Sequence, residues 1–376
     1  MDVIHKILKV VLSKFGYLYS IIKPIIVFES VPDYSDNTLA VYNEMIKRGM
    51  NKKYTLVWLC DSKWDYDNNE NVIFATSKFW KSIYSYSAKC VICCNRFLPS
   101  HHIRQKSLYL THGEPIKKLS DYYAPQNIDY VIGLSAQLNM VMAKELRLSE
   151  HKFHVTGFPR NDNLFNPNNY GRVRRLFGES YNKIIIWLPT FRQHRKHDVD
   201  KCTSSPLPII HNKEAAFGIN DFLRKLNILI ILKPHFAQDL SYVQDIHLSN
   251  ILFIDDNFFR ENSINLYELL GGCDALITDY SSVYYDYLLC NKPIAVMWED
   301  IEEYHNNRGF ALDVNYYTKG AHKIYTYEDF IGFLDEFGRG EDSLKEQRCI
   351  INQIVNHYQD ANSAKRVVDF VEDNCL

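Results

Sequence analysis

The chain has 376 residues, of which 46% are hydrophobic and 23% are charged, and its formal net charge is −2. It is long enough to form two domains with hydrophobic cores of their own. This composition excludes a disordered chain and a protein that binds nucleic acid through bulk positive charge.

The first predicted element, residues 1–23, is an amphipathic helix with one apolar face and lysines away from that face. It lacks the uninterrupted apolar core and the cleavage site of a signal peptide, and no run of about 18 uncharged apolar residues in the sequence predicts a transmembrane helix. The helix either lies on an anionic membrane surface or packs on the protein's own core. Its apolar face carries Val3, Ile4, Ile7, Leu8, Val11, Phe15, Leu18 and Ile22.

Short apolar runs then alternate with helical stretches up to residue 156. This alternation predicts an open, mainly parallel, doubly wound sheet. The polar segment 161–171 is rich in Asn, Pro and Gly and is predicted to be a linker. The predicted strands are 25–28, 55–59, 72–74, 90–94, 108–110, 130–133 and 153–156, and the predicted helices include 37–48, 78–87 and 137–146.

The nine cysteines lie mostly in apolar stretches, which favours buried thiols in a reducing compartment over a disulfide framework. Cys90, Cys93 and Cys94 contain a CxxC spacing, which is a weak zinc or redox signal because no second half accompanies it. A core strand is the favoured interpretation of these three residues.

The second half repeats the strand–helix pattern, with predicted strands at 184–188, 229–232, 252–255, 275–278 and 293–297. Residues 198–211 lack periodicity and are predicted to form a surface loop that orders over a substrate. The end of the chain, from residue 343, is predicted to be helical. We therefore expect four parts, namely the helix 1–23, domains at 24–165 and 172–350, and a closing segment at 351–376.

The turn at residues 278–282, Thr-Asp-Tyr-Ser-Ser, joins a predicted strand to a helix at about 282–290. Free backbone N–H groups and the positive end of a helix dipole attract anions there, and two serine hydroxyls add donors. The turn therefore predicts a phosphate site. Plain N-capping by Ser281 or Asp279 is the alternative.

Three stretches between residues 278 and 310, TDYSSVYYDY, NKPIAV and EEYHNNRGF, resemble the signature of the CDP-glycerol glycerophosphotransferase family. These enzymes prime and polymerise teichoic acids and related phosphate-linked capsules. The resemblance implies a GT-B-like α/β fold, in which two Rossmann-like doubly wound domains face a central cleft. It also implies that the last helix crosses back to the first domain, because residues 360–366 resemble the family's closing motif.

His112 follows the predicted strand 108–110, where a side chain of a parallel sheet projects towards a ligand. Imidazole titrates near neutral pH and can take a proton from an attacking alcohol. The motif resembles the family's HGTP, which implies a general base at His112, with Gly113 permitting the sharp turn. Glu114 departs from the family's threonine. It either orients the base and raises its pKa or repels a phosphate, which would indicate a different acceptor.

Cationic residues follow other strands in stretches that resemble family motifs. Arg160 lies in a GxPRxD-like segment and is expected to hold an acceptor or donor phosphate, with an ion pair to Asp162 as the alternative. Arg192, in an APTWR-like segment, is a candidate for the donor pyrophosphate. Lys233 and His235 lie in a KPH motif, where His235 would stabilise charge on the leaving phosphate unless it is structural.

The resemblance places the donor at the turn described above. Ser281, Ser282 and their backbone N–H groups would hold the pyrophosphate, and Asp286 would bind the ribose hydroxyls. Arg308 would reach the phosphates from the far side. The expected donor-binding set is Arg192, Lys233, Thr278, Asp279, Ser281, Ser282, Asp286 and Arg308, and the acceptor or phosphate set is Gly113, Glu114 and Arg160.

The expected reaction transfers glycerol phosphate, or a related polyol phosphate, from CDP-glycerol or CDP-ribitol to a hydroxyl of a lipid-linked or growing acceptor, and CMP leaves. No DxD-like acidic pair follows a predicted strand, so we expect no metal and no cofactor. A lipid-linked acceptor implies a peripheral protein at the cytoplasmic face of the membrane.

Two other classes of function stay open. A nucleotide-sugar glycosyltransferase shares this architecture, because fold does not fix function. A membrane-surface scaffold with an inactive site is the non-enzymatic alternative. The sequence also leaves open glycerol against ribitol, primase against polymerase, and wall polymer against capsule.

Overall fold

The structure is a computed structural model that describes residues 13–14, 24–63, 68–119, 123–190, 207–234, 243 and 246–376. The predicted amphipathic helix, apart from residues 13–14, lies outside these residues. Arg192 and His235 also lie outside them. In the part that is described, no helix combines the length and the apolar character needed to cross a bilayer.

The chain forms two compact units. Unit 1 comprises Met1–Glu114, Asp121–Asp162 and His357–Leu376. Unit 2 comprises Pro115–Ser120 and Asn163–Asn356. The chain thus returns to unit 1 at residue 357.

Unit 1 contains a seven-stranded sheet in the order β3-β2-β1-β4-β5-β6-β7, and every neighbouring pair is parallel. The neighbouring strands β1 and β2, which both lie inside the sheet, are buried along their whole length, as expected where helices cover both faces of a parallel sheet. The strands are β1 Ile25–Glu29, β2 Thr55–Leu59, β3 Val72–Ala75, β4 Cys90–Cys93, β5 Lys106–Tyr109, β6 Tyr130–Gly133 and β7 Phe153–Val155.

Unit 2 contains a six-stranded parallel sheet in the order β10-β9-β8-β11-β12-β13. Ile185, Trp187, Ile230 and Ile277 belong to its core. The strands are β8 Lys183–Trp187, β9 Ile228–Leu232, β10 Ile251–Phe253, β11 Ala275–Thr278, β12 Ile294–Met297 and β13 His322–Ile324.

Both sheets reverse their direction of growth once, between β1 and β4 in unit 1 and between β8 and β11 in unit 2. At such a switch point the connections leave on opposite faces, which opens a crevice beyond the carboxyl ends of the strands. Ligands of doubly wound sheets bind in that crevice. The predicted doubly wound sheets are therefore confirmed, and each has one position where a ligand is expected.

The helices cover the two sheets. Their bounds are Asp36–Lys47, Lys78–Ser87, Ala136–Leu146 and Ser363–Asn374 in unit 1, and Asn169–Phe177, Lys213–Leu226, Asp256–Glu261, Leu266–Gly272, Val283–Tyr287, Ile301–Asn307, Val314–Tyr317, Tyr327–Arg339 and Lys345–Val355 in unit 2.

Two local predictions were wrong, and one strand was not predicted. The segment 161–171 is not an irregular linker, because the 3-10 helix Pro159–Phe165 and the start of the helix Asn169–Phe177 occupy most of it. The predicted helix 282–290 is shorter, since it changes after Tyr287 into a single 3-10 turn, Leu288–Cys290. Strand β13 was not predicted, because its three residues include two polar ones.

The cysteines in β4 and directly after it are core residues, as predicted. Cys90, Cys93 and Cys94 are buried, and the eight cysteines that the structure describes are all free. Burial raises the pKa of the Cys93 thiol well above its usual value, so it stays protonated near neutral pH.

Candidate functional site

His112 follows β5 in unit 1 with its side chain 65% exposed. The residue before it, Thr111, is buried with a left-handed φ of 53°, a conformation that a non-glycine residue keeps only where its surroundings impose it. The Thr111 carbonyl accepts hydrogen bonds from Asn37 Nδ2 at 3.1 Å and from Cys94 Sγ at 3.0 Å. These contacts fix the backbone from which the imidazole projects.

A buried carboxylate contacts the imidazole of His112. Asp36 Oδ2 lies 2.6 Å from His112 Nδ1, and the Asp36 side chain is 10% exposed. The guanidinium of Arg160, 6% exposed, donates from Nη1 to Asp36 Oδ1 at 2.7 Å and to the His112 carbonyl oxygen at 2.9 Å. The guanidinium group of Arg160 thus links the carboxylate of Asp36 to the backbone of His112. We call Asp36, His112 and Arg160 the histidine cluster.

The electrostatics of the cluster keep Asp36 ionised. Burial by itself raises the pKa of this carboxyl, but the charge of Arg160 and the hydrogen bond and charge of His112 outweigh burial. The net effect holds the pKa of Asp36 well below its ordinary value. An ionised carboxylate only accepts hydrogen bonds, so Nδ1 of His112 carries the proton that joins the two groups.

The loop before Asp36 is held in place by hydrogen bonds to neighbouring strand ends. Val31 N–H donates to Asn95 Oδ1 at 2.8 Å, beyond the end of β4. Asp33 Oδ2 accepts from the N–H groups of Asp61 and Ser62, beyond the end of β2. Asp36 then enters its helix with a left-handed φ of 59°. The loop places this carboxylate at the switch point of the unit 1 sheet.

In the part of the chain that the structure describes, one group of three potential metal ligands occurs, formed by Asp36, Cys94 and His112, with ligand atoms within 4.8 Å of one another. These three groups are better suited to hydrogen bonding with one another than to binding a cation. The carboxylate of Asp36 already forms an ion pair with Arg160. Burial holds the pKa of the Cys94 thiol well above its usual value, and the neutral thiol donates to Thr111.

Glu114 turns away from the role predicted from its position beside His112. It is 3% exposed, and its Oε1 accepts from Leu134 N–H at 2.9 Å. The carboxylate that contacts the imidazole belongs to Asp36. Gly113, between His112 and Glu114 in the chain, is half-buried and has a positive φ, as its predicted role in the turn requires.

Arg160 and Asp162, for which an ion pair was the alternative prediction, each interact with other groups. Arg160 serves the histidine cluster, while Asp162 accepts from the N–H groups of Ser363 at 2.9 Å and Ala364 at 2.8 Å. These two residues begin the last helix, so Asp162 caps its N-terminus. Gly157, with φ 76°, lies so close to Ser363 Oγ that an added Cβ would approach it to 2.5 Å.

In unit 2, residues after β8 and β11 meet at the second switch point. Asp279 accepts from the Thr190 N–H, at 2.8 Å to Oδ2, from the Thr190 hydroxyl and from the Tyr280 N–H at 2.7 Å. Thr278 is fully buried and donates to the Leu188 carbonyl at 2.9 Å. Thr278 and Asp279 therefore hold the two strand ends together.

Ser281 and Ser282 lie half-buried on the turn that Asp279 fixes. Ser281 Oγ accepts a long hydrogen bond, 3.4 Å, from the Val283 N–H, and Ser282 is the N-cap residue without a side-chain cap bond. The N-capping alternative thus holds only weakly and only for Ser281. The helix that follows has five residues, so its dipole is small and the hydroxyl groups are the main donors of the turn.

The other predicted donor-binding residues of unit 2 that the structure describes lie in different environments. Asp286 is buried and accepts from the Tyr267 hydroxyl at 2.7 Å. Lys233 pairs with Asp256 at 2.9 Å. Arg308 directly follows the helix Ile301–Asn307, whose Tyr304 stacks on Tyr280 at 3.9 Å between ring centroids.

Comparison with known proteins identifies the chain. The family model of CDP-glycerol:poly(glycerophosphate) glycerophosphotransferase matches residues 13–373. The chain belongs to this family.

Two family relatives from Bacillus spizizenii are similar to it. The teichoic acid ribitol-phosphate primase is 24% identical over 274 residues, which cover 70% of this chain and 65% of the primase, just under two thirds. The teichoic acid poly(glycerol phosphate) polymerase is 25% identical over 370 residues, which cover 85% of this chain and 90% of the polymerase.

The fold of this glycerophosphotransferase family member is similar to that of the wall teichoic acid polymerase TagF. The two structures match with a TM-score of 0.72 and 20% sequence identity, over 99% of this chain and 96% of the TagF chain. The match confirms the predicted fold class, a GT-B-like α/β protein with two Rossmann-like parallel-sheet domains.

Sequence reasoning missed Asp36, Asn37 and Thr190 as parts of the two sites. Thr190 follows β8 as closely as His112 follows β5, so the signal that singled out His112 could have found it. Asp36 and Asn37 stand further from their strand, β1, and the partner of Asp36, His112, lies 76 residues away. Nothing in the local sequence pairs them.

Proposed function

We propose that this chain transfers a polyol phosphate from a CDP-activated donor to a hydroxyl group of a teichoic-acid-type acceptor, with release of CMP. The observation that carries the proposal is the exposed imidazole of His112, held by a buried, ionised carboxylate in a member of this family. The curated relatives named above are a ribitol-phosphate primase and a glycerol-phosphate polymerase, so both polyols are candidates. A TagF variant has also been solved after a soak with CDPG.

The reaction needs a base, an oriented donor and a way to spread charge. The acceptor oxygen attacks the phosphorus that carries the polyol, and the bond from that phosphorus to the oxygen of CMP breaks. His112 Nε2 takes the proton of the attacking hydroxyl. Phosphoryl transfer of this kind depends on positioning and electrostatic stabilisation rather than on a covalent intermediate.

The donor is assigned to the second switch point, in unit 2. The hydroxyls of Ser281 and Ser282 supply uncharged donors for the pyrophosphate, on a turn that Asp279 and Thr190 hold in place. Arg308 follows a neighbouring helix, and Arg192 and His235 are proposed to add positive charge. Asp286 is buried against Tyr267, so binding of the ribose by this carboxylate would require the Tyr267 hydroxyl to yield.

We also assign the reaction to the protein alone, without a metal. The support is chemical, because the group of three potential ligands at the histidine cluster already satisfies its charges with Arg160. Activity that EDTA leaves unchanged is the expected result. Activity lost in EDTA and restored only by Mg²⁺ would overturn this assignment.

The direct experiment is a donor screen with product sizing. The purified chain is incubated with CDP-glycerol, CDP-ribitol or UDP-sugars and a hydroxyl-bearing lipid-linked acceptor, and released CMP and UDP are separated. CMP release from a CDP-polyol is expected, and single or repeated additions distinguish a primase from a polymerase. UDP release would instead identify a nucleotide-sugar glycosyltransferase. Release of neither nucleotide would favour a scaffold.

Peripheral contact with an anionic membrane completes the proposal, since a lipid-linked acceptor must be reached. The support is three exposed apolar side chains of unit 1, the neighbours Phe79 (66% exposed) and Trp80 (52%), and Ile103 (88%). Ser13 Oγ donates to the His101 carbonyl at 2.7 Å, so residue 13 lies beside the loop that carries Ile103. Aromatic side chains beside lysines are typical of interfacial binding.

Flotation with vesicles tests this part. Wild-type protein is expected to float with phosphatidylglycerol vesicles and less with phosphatidylcholine vesicles. The variant Phe79→Ala/Trp80→Ala should lose most of this binding, whereas Tyr316→Ala, an exposed aromatic residue of unit 2, should keep it. Equal flotation of all three proteins would contradict the assignment of the surface.

A further inference from the structure

Asp36 and Thr111 flank the hydrogen bond to His112, and both hold the left-handed backbone conformation without being glycine, with φ of 59° and 53°. Such conformations are unfavourable for residues with a Cβ and persist where the surroundings fix them, most often at functional sites. Here the backbone on each side of the contact is fixed. The Thr111 carbonyl is held by Asn37 and Cys94, and Asn37 Oδ1 also accepts from the Arg160 N–H at 3.1 Å.

The geometry points to Asp36 as a positioning residue for the transfer reaction, a role that rests on the proposed function. Asp36 holds the proton of His112 on Nδ1, which leaves Nε2 of the neutral ring unprotonated and available as the base. When Nε2 takes the proton of the acceptor hydroxyl, the ring becomes a cation and the ionised carboxylate stabilises it. The carboxylate itself keeps no proton, and the ring returns its new proton to solvent after CMP has left.

Arg160 determines which carboxylate oxygen of Asp36 faces the imidazole of His112. Its Nη1 donates to Asp36 Oδ1 and to the carbonyl oxygen of His112, so it sets both the carboxylate and the backbone that carries the ring. The second carboxylate oxygen is thereby left to accept from the ring. Glu114 is the carboxylate nearest to His112 in sequence, but it accepts from the Leu134 N–H.

The arrangement predicts the effect of an amide at position 36. In Asp36→Asn the side-chain oxygen must face Arg160, because two donors would otherwise meet. The NH₂ group then faces the ring, donates to Nδ1 and moves the ring proton to Nε2. The base is lost although the site keeps its shape. A tautomer reversal of this kind lowers kcat by about 10²- to 10⁴-fold.

The test measures activity and tautomer on the full chain. Asp36→Asn is expected to lower kcat with CDP-glycerol by at least about 100-fold, with the KM for the donor changed less than about threefold, as expected for an interaction that acts mainly in the transition state. Asp33→Asn, in the same loop, is the matched control for a disturbed loop, because Asp33 accepts from the backbone of Asp61 and Ser62. A kcat of Asp36→Asn within threefold of wild type would overturn the role of Asp36.

Nitrogen-15 NMR of the histidine side chains provides the second readout, which a purely structural role would not change. His112→Gln assigns the signal by difference. The wild-type neutral ring is expected to carry its proton on Nδ1, and the ring in Asp36→Asn on Nε2. A wild-type ring protonated on Nε2 overturns the inference even if Asp36→Asn fails to fold. If the tautomer is as expected but no CDP donor is turned over, the proposed function fails and the positioning geometry stands.

Discussion

Replacement of Arg160 by methionine tests the physical basis of the histidine cluster most fully. Methionine has a similar length and no charge, so the packing volume is nearly kept while both hydrogen bonds of Nη1 are lost. Asp36 would then be a buried carboxylate that keeps its hydrogen bond to the imidazole of His112 but has lost the guanidinium. The side chains of Arg160 and Asp36 are 6% and 10% exposed, so solvent replaces little of the lost interaction.

Removal of one partner from a buried ion pair typically costs about 3–5 kcal/mol, because the remaining charge stays buried. Local opening of unit 1 in Arg160→Met should therefore be about 100- to 5,000-fold more frequent at pH 7, at 1.4 kcal/mol for each factor of ten. Arg147→Met is the matched control. Arg147 is exposed and stacks on Tyr123 at the surface, so its loss should have a much smaller effect.

The pH dependence of this cost has a definite sign. The pKa of Asp36 in the folded protein lies below that of the unfolded chain, so its pairing stabilises the fold above the unfolded pKa of about 4 and is lost as pH falls through the folded value. In Arg160→Met the charge and hydrogen bond of Arg160 no longer lower the pKa of Asp36, so this pKa is expected to rise. The difference in stability between the two proteins should thus be largest near pH 7 and shrink towards pH 4.

Hydrogen–deuterium exchange of peptides from unit 1 is the appropriate assay, because it reports opening without assuming that both units unfold together. Peptides covering residues 24–42 and 106–116 carry the relevant backbone. Exchange that is unchanged in Arg160→Met, or a difference that grows as pH falls, would refute this account of the cluster.

Three further predictions concern other parts of the chain. Gly157→Ala should lower the stability of unit 1 by about 1–3 kcal/mol, because residue 157 has a positive φ and an added Cβ would approach Ser363. Gly332→Ala lies at an open helix position and should raise the stability of unit 2 by about 0.5–1 kcal/mol. Urea denaturation of both variants and wild type measures these changes. Alkylation at pH 7 should leave the buried Cys93 and Cys94 unlabelled, while urea-unfolded protein is fully labelled in peptide mass spectra. Asp162→Ala removes the cap of the last helix and should cost about 0.5–2 kcal/mol, with faster exchange in the peptide 357–376 as the check.

Most of the fold could be predicted because the strands are nearly continuous apolar runs. The strands Thr55–Leu59, Tyr130–Gly133 and Ala275–Thr278 were predicted with the bounds that the structure has. Such runs arise where helices cover both faces of a parallel sheet, so the pattern is strong. Strand β13 was not predicted because it lies at the edge of its sheet, where the polar residues His322 and Lys323 are tolerated and interrupt the apolar pattern.

The site could be predicted only in part, for a geometrical reason. His112, Ser281 and Ser282 stand directly after strands, which is visible in the sequence. The pairing of His112 with Asp36 depends instead on the order β1-β4-β5 and on a left-handed turn, and neither follows from local pattern. Glu114 was considered for this role because it is close in sequence, although the chain turns its side chain towards Leu134.

The initial rate of acceptor-dependent CMP release from CDP-glycerol or CDP-ribitol, measured for wild type and for His112→Ala, tests the central claim most directly. His151→Ala, another exposed histidine of unit 1, serves as the control. We predict that wild type and His151→Ala release CMP at similar rates, and that His112→Ala is slower by about 10²- to 10⁴-fold, the usual contribution of a general base. A rate for His112→Ala within threefold of wild type, or no CMP release by wild type from either donor, would contradict the account.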